Sequence, residues 1–368
     1  MDMASAGSGP GSLRRTEAVF ERVMRAGVAG AVAAVSRGPG DLMAIAGGRA
    51  APDRPMTTST VVPWSCAGKP LLAVACLRLA AAGVLDLDSV VTQWRPEFGL
   101  LHPRLTLRHL LTHTAAVDEK GSAPGTVDRE LHEWPPEPGR GPGRHHVYSA
   151  WWNWGVLAAV IETVSGTSAD AVITQTVLHR ARMRDCSIIS AGPGGGNDDP
   201  AGPGTVRDDN IMLLTPDSRQ PGDWLEPSRL RLEHHDPSTR MCGPVTELVR
   251  FYRWVQSSWE STAGPLPASL ARMATTMQLP LGCENEDWRT GPGLGFCVGM
   301  KALGLGKHCS RLSFGYAGAL GGGNLVVGLA EPQHDIVIAA AVGCLGRRAA
   351  FALKAVVTAL YEDVLTVI

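Results

Sequence analysis

Pro63-Trp64-Ser65-Cys66-Ala67-Gly68-Lys69-Pro70, running directly into the apolar stretch Leu71 to Leu87, is the segment on which the reading of this chain turns. Leu71, Leu72, Ala75, Leu79 and Ala82 recur at helical spacing and predict an amphipathic or largely buried helix. Proline is accepted in the first turn of a helix, where its missing N–H has no partner to lose, so Pro70 places Cys66 at or near the helix N-terminus. Lys69 follows three residues later, on the same face. The spacing therefore sets a thiol beside an amine, with the positive end of the helix dipole behind both. Each neighbour favours the thiolate, and the same dipole helps hold an oxyanion. A cysteine that is merely buried satisfies the spacing too, and Cys-x-x-Lys occurs by chance. Lys69 argues for chemistry: the chain has few lysines beside its many arginines, yet this one falls in the apolar start of a helix, where a solvated role fits poorly.

With its continuation Ala82-Gly83-Val84-Leu85-Asp86-Leu87-Asp88, the segment from Pro63 resembles the nucleophile helix of the serine beta-lactamase and penicillin-binding-protein superfamily, in its class C-like esterase and transesterase branch. There the motif is Ser-x-x-Lys, often followed by Pro. Here Lys69 takes the lysine position and Cys66 the nucleophile position. Ser65 stands one residue early, and a slip that used it would turn its side chain about 100° around the helix. Cys66 is therefore the expected nucleophile and Ser65 the minor alternative.

Further segments carry the same resemblance. Leu105-Thr106-Leu107-Arg108-His109-Leu110-Leu111-Thr112-His113-Thr114 is similar to the family's Thr-Ile-Arg-x-Leu-Leu-x-His-Thr-Ser-Gly-Leu, until Ala115-Ala116 replaces Ser-Gly. The resemblance makes His113 a scaffold residue that fixes a turn. His145-His146-Val147-Tyr148-Ser149-Ala150 and the helix behind it resemble the Tyr-x-Asn segment. Tyr148 takes the position of the proton-relaying tyrosine, with Lys69 expected to stabilise its phenolate. Ala150 replaces the Asn, removing an amide that orients substrate. Ser313-Phe314-Gly315-Tyr316-Ala317-Gly318-Ala319 resembles the Lys/His-x-Gly strand on the opposite wall of the cleft. Tyr316 replaces the cation, which argues against substrates held by a carboxylate. Gly318 lets backbone approach closely, and the N–H groups of Cys66 and Ala319 are expected to form the oxyanion hole. Tyr316, Gly318 and, among the dense tryptophans Trp151, Trp152 and Trp154, Trp152 are the expected substrate-binding residues.

At 368 residues the chain can bury a full core. A formal net charge of -1 gives no electrostatic case for nucleic acid or an anionic membrane surface. Met1 to Ser12 is small and polar with no apolar stretch, and no run of about 18 apolar residues exists, so the expectation is a cytoplasmic protein without a membrane span. Eight scattered cysteines fit reduced thiols better than a disulfide framework or a zinc site. The pairs His145-His146 and His234-His235 lack further ligands at metal spacing, so no metal and no cofactor is expected.

Residues 13–26 predict a helix, and Val28 to Val35 and Leu42 to Ala46 two strands joined at Gly38-Pro39-Gly40. Asn324 to Leu329 and Asp335 to Val342 read as strands, and Ala349 to Leu365 as a closing helix. Glu119 to Arg144 and Ser190 to Asn210 read as mobile loops, a lid or a plain connection. The family resemblance brings the two chain ends into one sheet. The resulting expectation is an α/β (α+β) fold: a disordered 1–12, an antiparallel sheet domain from 13–62 and 290–368, and a helical region over 63–289, with the site between them. The expected activity is acyl transfer through a Cys66 thioester on a small-molecule or carrier-bound acyl substrate. An esterase or amidase using the same residues and a non-catalytic binding protein are the alternatives.

Overall fold

The computed structural model describes residues 4–6, 12–117, 119, 130–189, 212, 236–260, 264–285, 291–299, 308–320, 324–343 and 347–365. Small and branched residues near both chain ends build one antiparallel sheet. Its order runs β1 (Ala4–Ala6), β3 (Asp41–Ala51), β2 (Gly30–Arg37), Ile336–Gly343, Asn324–Glu331, Phe314–Leu320, Cys297–Val298 and Gly291–Pro292, with Arg54–Pro55 added to β3. The seam between the two ends is continuous: β2 pairs with Ile336–Gly343 from Gly30↔Gly343 to Arg37↔Ile336. Within 1–12, expected to be disordered, Ala4–Ala6 pairs with Ala44–Ala46. Such an edge strand is made by backbone hydrogen bonds, which small-residue composition does not announce.

Alternation decides what each face of the sheet meets. Ala31, Ala33, Val35, Ile338, Ala340 and Val342 pack with Phe20 and Val23 of α1 (Arg14–Arg25) and Val356, Val357 and Leu360 of the C-terminal helix Arg347–Leu365. Val32, Ala34, Ala339 and Ala341 turn to the other core, shared with α2 (Lys69–Ala81) and the helix Val245–Ser257. That last helix lies inside the range assigned to the helical region yet packs directly on the sheet.

Every residue of α2 from Lys69 to Leu77 is buried. The helix is apolar all round, so it threads the core rather than lying on it. Leu71, Leu72 and Leu77 are fully buried, each worth ~1.5–3 kcal/mol. The predicted helical run to Leu87 ends early, at Ala82 and the left-handed Gly83. Cys66 sits in a 3₁₀ turn, Ser65–Gly68, that feeds α2. α3 (Leu107–Leu111) and α4 (Trp152–Ser165) pack beside it. Part of the expected loop 119–144 is also ordered against the core: Leu131 and Trp134 are buried around the turn Leu131–Glu133. The stretch Ser190 to Asn210 and the pair His234-His235 lie outside the described residues. No disulfide joins the described cysteines, and no single described helix is long and apolar enough to cross a membrane.

Candidate active site

The 3₁₀ turn carrying Cys66 is pinned between two walls. Ser65 has φ 48°, a left-handed conformation that costs a β-carbon-bearing residue ~1–2 kcal/mol. Its hydroxyl donates to the Ala319 carbonyl at 2.8 Å, which anchors that conformation. The bond also turns Ser65 into the wall, only 5% exposed, while Cys66 stays half-buried. The strand Phe314–Leu320 runs so close to the turn that a Cβ at Gly318 would lie 2.2 Å from Trp64 O, 2.7 Å from Ala67 N and 3.0 Å from Cys66 N. Glycine is required there because all three neighbours are backbone atoms.

The N–H and C=O of one strand residue leave toward the same edge. Gly299 N donates to Ser313 O, so the odd-numbered residues of this strand present their backbone to the edge that Cys297–Val298 pairs. That pairing stops at Gly315. Farther along the same edge Ala319, exposed, offers its carbonyl to Ser65 and therefore its N–H to the same side, beside the Cys66 turn.

Lys69 is fully buried. Its Nζ lies 3.5 Å from Cys66 Sγ and 2.6 Å from the Ala150 carbonyl oxygen. Behind it Asp236, also 0% exposed, presents Oδ2 at 3.7 Å, and the Trp154 ring lies 5.4 Å from the ammonium. Asp236 Oδ1 accepts from the Ser238 N–H at 2.9 Å and from the Ser238 hydroxyl. Burial pushes the Asp236 carboxyl above its ordinary range, against the pull of Lys69 and Ser238. Sequence reasoning missed Asp236, which lies in a polar stretch with no motif around it.

Tyr148 is 40% exposed and stacks on His113, with ring centroids 4.9 Å apart and planes at 29°. It lies beside Tyr316, whose hydroxyl is 2.9 Å from His113 Nε2. Although the Tyr148 ring is partly exposed, desolvation of its hydroxyl end, then the proximity of Tyr316 and Cys66, raises its pKa well above that of an ordinary phenol. The charge of Lys69, expected to stabilise a Tyr148 phenolate, is directed to Asp236 and its hydrogen bonds to Cys66 and Ala150.

Three further contacts hold the Tyr148 segment. The Glu119 carboxylate accepts from Ala150 N–H at 2.8 Å, Trp152 N–H at 3.2 Å and the Ser149 hydroxyl. It thus closes the N-terminus of α4, where a carboxylate suits the helix dipole. His113 Nδ1 accepts from Ser149 N–H at 3.0 Å, and its Nε2 lies 2.9 Å from Tyr316 Oη. Neither Glu119 nor the His113–Tyr316 bond was visible from the motifs. Trp152 is not at the cleft. It is fully buried, donating its indole N–H to Leu131 O and packing against Phe98 and His102, so the expectation that it binds substrate is withdrawn. The structure thus brings Cys66, Lys69, Tyr148, Tyr316, Gly318 and Ala319 together and leaves Trp152 in the core.

A sheet made from both chain ends, with the Cys66 turn wedged against its edge and a buried lysine one turn on, is the architecture of the penicillin-recognising acyl-transfer enzymes. The chain belongs to the beta-lactamase family, whose model, described as Beta-lactamase, matches residues 16–360. It is 31% identical over 343 residues to esterase EstB of Burkholderia gladioli, covering 82% of this chain and 84% of EstB. Among solved structures it resembles EstCE1, described as a hydrolase with promiscuous acyltransferase activity, at TM-score 0.70 and 20% identity over 94% of this chain and 97% of that one. It also resembles D-amino acid amidase from Ochrobactrum anthropi SV3, at TM-score 0.74 and 17% identity over 96% of this chain and 98% of that one. The chain is accordingly an enzyme of this fold.

Proposed function

We propose that the protein transfers acyl groups through a thioester on Cys66, taking them from a neutral ester, thioester or amide of a small molecule or carrier. The observation that carries this reading is the 3.5 Å contact between Lys69 Nζ and Cys66 Sγ, with the ammonium backed by a buried carboxylate. An ammonium donating to sulfur stabilises the negative charge that develops as sulfur attacks. Sulfur adds to the acyl carbon as its S–H proton passes to Tyr148, and the carbonyl oxygen becomes an oxyanion facing the Cys66 and Ala319 N–H groups. Collapse breaks the bond to the leaving group, and Tyr148, as a phenol, supplies the proton that group carries away. Water or a second nucleophile then releases the acyl group.

A thioester is attacked by amines more readily than an oxygen ester, which favours transfer over hydrolysis. The relationship to esterase EstB favours hydrolysis through the same residues as the second reading. Tyr316 where the family carries a cation supports a substrate without a carboxylate at that wall.

The test is intact-protein mass after mixing with activated esters and acyl thioesters, beside Cys66→Ala and Ser65→Ala. The expected result is a mass increment that hydroxylamine removes, lost in Cys66→Ala and kept in Ser65→Ala. Its decay in buffer against its decay with added amines then separates hydrolase from transferase. An increment that survives in Cys66→Ala refutes the thioester.

A further inference from the structure

Helix α4 begins at a residue that cannot cap it. Trp151 stands at its N-cap, and an indole offers no oxygen to the unpaired N–H groups of the first turn. Two side chains from outside the helix divide the task. The Ser149 hydroxyl accepts from Asn153 N–H at 3.0 Å, and the Glu119 carboxylate accepts from Trp152 N–H at 3.2 Å. Ser149 passes its own hydroxyl hydrogen to Glu119 Oε1, and Glu119 Oε2 accepts from Ala150 N–H at 2.8 Å. Both carboxylate oxygens are thus used, and each of these partners donates to them. Burial raises the Glu119 pKa, while these donors and the charge of Lys69 oppose the rise.

This clamp has a consequence at the cysteine. The N–H groups of Ala150 and Trp152 belong to the peptide planes 149–150 and 151–152. The plane between them carries the Ala150 carbonyl, and that oxygen accepts from Lys69 Nζ at 2.6 Å. With the peptides on both sides gripped by one carboxylate, the middle one has little freedom to turn. The Ala150 oxygen is also the nearest partner of the ammonium: Cys66 Sγ follows at 3.5 Å and Asp236 Oδ2 at 3.7 Å. A buried carboxylate attracts an ammonium more strongly than a thiol does, so without the 2.6 Å bond Nζ would be drawn toward Asp236 and away from sulfur.

We infer that Glu119 is a positioning residue for acyl transfer: by holding the peptides on either side of the Ala150 carbonyl, it fixes the acceptor that aims Lys69 at Cys66. The inference rests on the acyl-enzyme reading above. Ala150, whose side chain brings no polar group, serves through its backbone as the anchor of the lysine. Glu119 itself touches neither Cys66 nor the strand Phe314–Leu320 through any of these bonds, so its effect on the chemistry passes through Lys69.

Glu119→Gln keeps the size of the side chain but turns an amide NH₂ toward groups that are themselves donors, so the clamp is broken without opening a cavity. Single-turnover acylation by an aryl ester and by an acyl thioester is followed by intact mass across a range of donor concentrations. Alkylation of Cys66 by iodoacetamide, located by peptide mapping, reads the Lys69–Cys66 pair without any acyl donor. Thermal unfolding is recorded for every protein. The expected result for Glu119→Gln is a limiting acylation rate and a Cys66 alkylation rate both at least about tenfold lower, as misplacement of a catalytic group by a fraction of an ångström produces. The half-saturating donor concentration should stay within about twofold of wild type, because no contact with the donor is removed. In the Lys69→Met/Asp236→Asn background there is no ammonium to aim, and adding Glu119→Gln should leave Cys66 alkylation within about twofold. Wild-type rates in Glu119→Gln overturn the inference, as does a loss confined to the half-saturating concentration or one that persists in the background without Lys69. Melting lowered by more than about ten degrees assigns the carboxylate to folding and overturns it as well. In each of these cases the acyl-enzyme stands. A wild type acylated by neither donor overturns the acyl-enzyme reading itself, and this inference with it.

Discussion

Gly318→Ala puts one methyl group between the strand and the Cys66 turn. The added carbon would lie 2.2 Å from Trp64 O, 2.7 Å from Ala67 N and 3.0 Å from Cys66 N, whereas ordinary contact begins at 3.4 Å. The largest overlap, 3.4 minus 2.2, is 1.2 Å. All three neighbours belong to backbone, so no side chain can rotate aside and the strand and turn must part by about that distance. Overpacking of this kind costs ~1–3 kcal/mol. At ~2.1 cal/mol/K of unfolding entropy per residue a chain of 368 residues loses only ~1–4 °C in Tm for that penalty. The chemistry is far more sensitive: a displacement of ~1 Å at reacting groups lowers the rate ~10²-fold. The Ser65 hydroxyl bond to Ala319 O, 2.8 Å long, would be strained by the same movement. The expected result is a folded protein, melting within a few degrees of wild type, whose acyl-enzyme accumulates ~10²-fold more slowly in the intact-mass assay. Acylation of Gly318→Ala at the wild-type rate would refute the reasoning, since the strand would then not form a wall of the site.

Two further predictions concern buried charge. Lys69→Met leaves the Asp236 carboxyl buried without its cation, and removing one member of a buried pair costs ~3–5 kcal/mol. The Asp236 pKa, already raised by burial, rises further, so the folded state keeps a proton the unfolded chain has released and the variant loses stability as pH increases. The double variant Lys69→Met/Asp236→Asn should regain most of the loss in urea unfolding at neutral pH while remaining inactive; no recovery would mean that the two groups are not energetically coupled. Glu247 is 2% exposed, and burial pushes its pKa from 4.5 to about 7, with Arg250 opposing. Because the native state holds this proton longer than the unfolded chain, stability should fall by up to ~3 kcal/mol as pH rises from about 4.5 to about 7. Glu247→Gln should flatten that part of the stability–pH curve, and a slope unchanged in the variant would assign it to another group.

What the sequence made legible and what it hid divide along physical lines. Alternating strands at both ends were visible because each buries side chains on two faces, and their pairing in one sheet came from the resemblance rather than from spacing. Cys66 and Lys69 were visible because helical spacing puts them on one face, which the 3.5 Å contact reproduces. Side chains at i and i+2 diverge by about 200° around a helix. That is why Trp152 packs against Phe98 and His102 while Trp154, equally buried two residues on, lies against Lys69. Nothing in three neighbouring tryptophans shows which one lies beside Lys69 until the helix phase is known. Asp236 and Glu119 were hidden for a different reason. Each acts through a contact far away in the chain, on Lys69 and on the residues 149–152, and each sits in a polar segment where a carboxylate looks solvated.

The departures from the family pattern decide whether the site is working or decayed. Loss of function relaxes selection on buried polar groups, and orphaned donors and acceptors would be expected to collect around the replaced residues. At the three replacements themselves the polar groups are partnered, although the buried Trp154 indole N–H nearby has no hydrogen bond. Ala150 lacks the family's amide, but its carbonyl takes the Lys69 hydrogen bond at 2.6 Å and its N–H is gripped by Glu119 at 2.8 Å. Tyr316 lacks the family's charge, but its hydroxyl is bonded to His113, whose other nitrogen is bonded to Ser149. Cys66 lacks the serine oxygen, but its sulfur has the Lys69 ammonium as a partner at 3.5 Å. The one carboxylate oxygen here without a hydrogen bond, Asp236 Oδ2, points at Lys69. Each replaced position thus has partnered polar groups: Lys69 and Glu119 at the Ala150 backbone, His113 at Tyr316 and Lys69 at Cys66. Sites that have merely drifted have no reason to acquire such partners, and this favours a changed chemistry over a lost one.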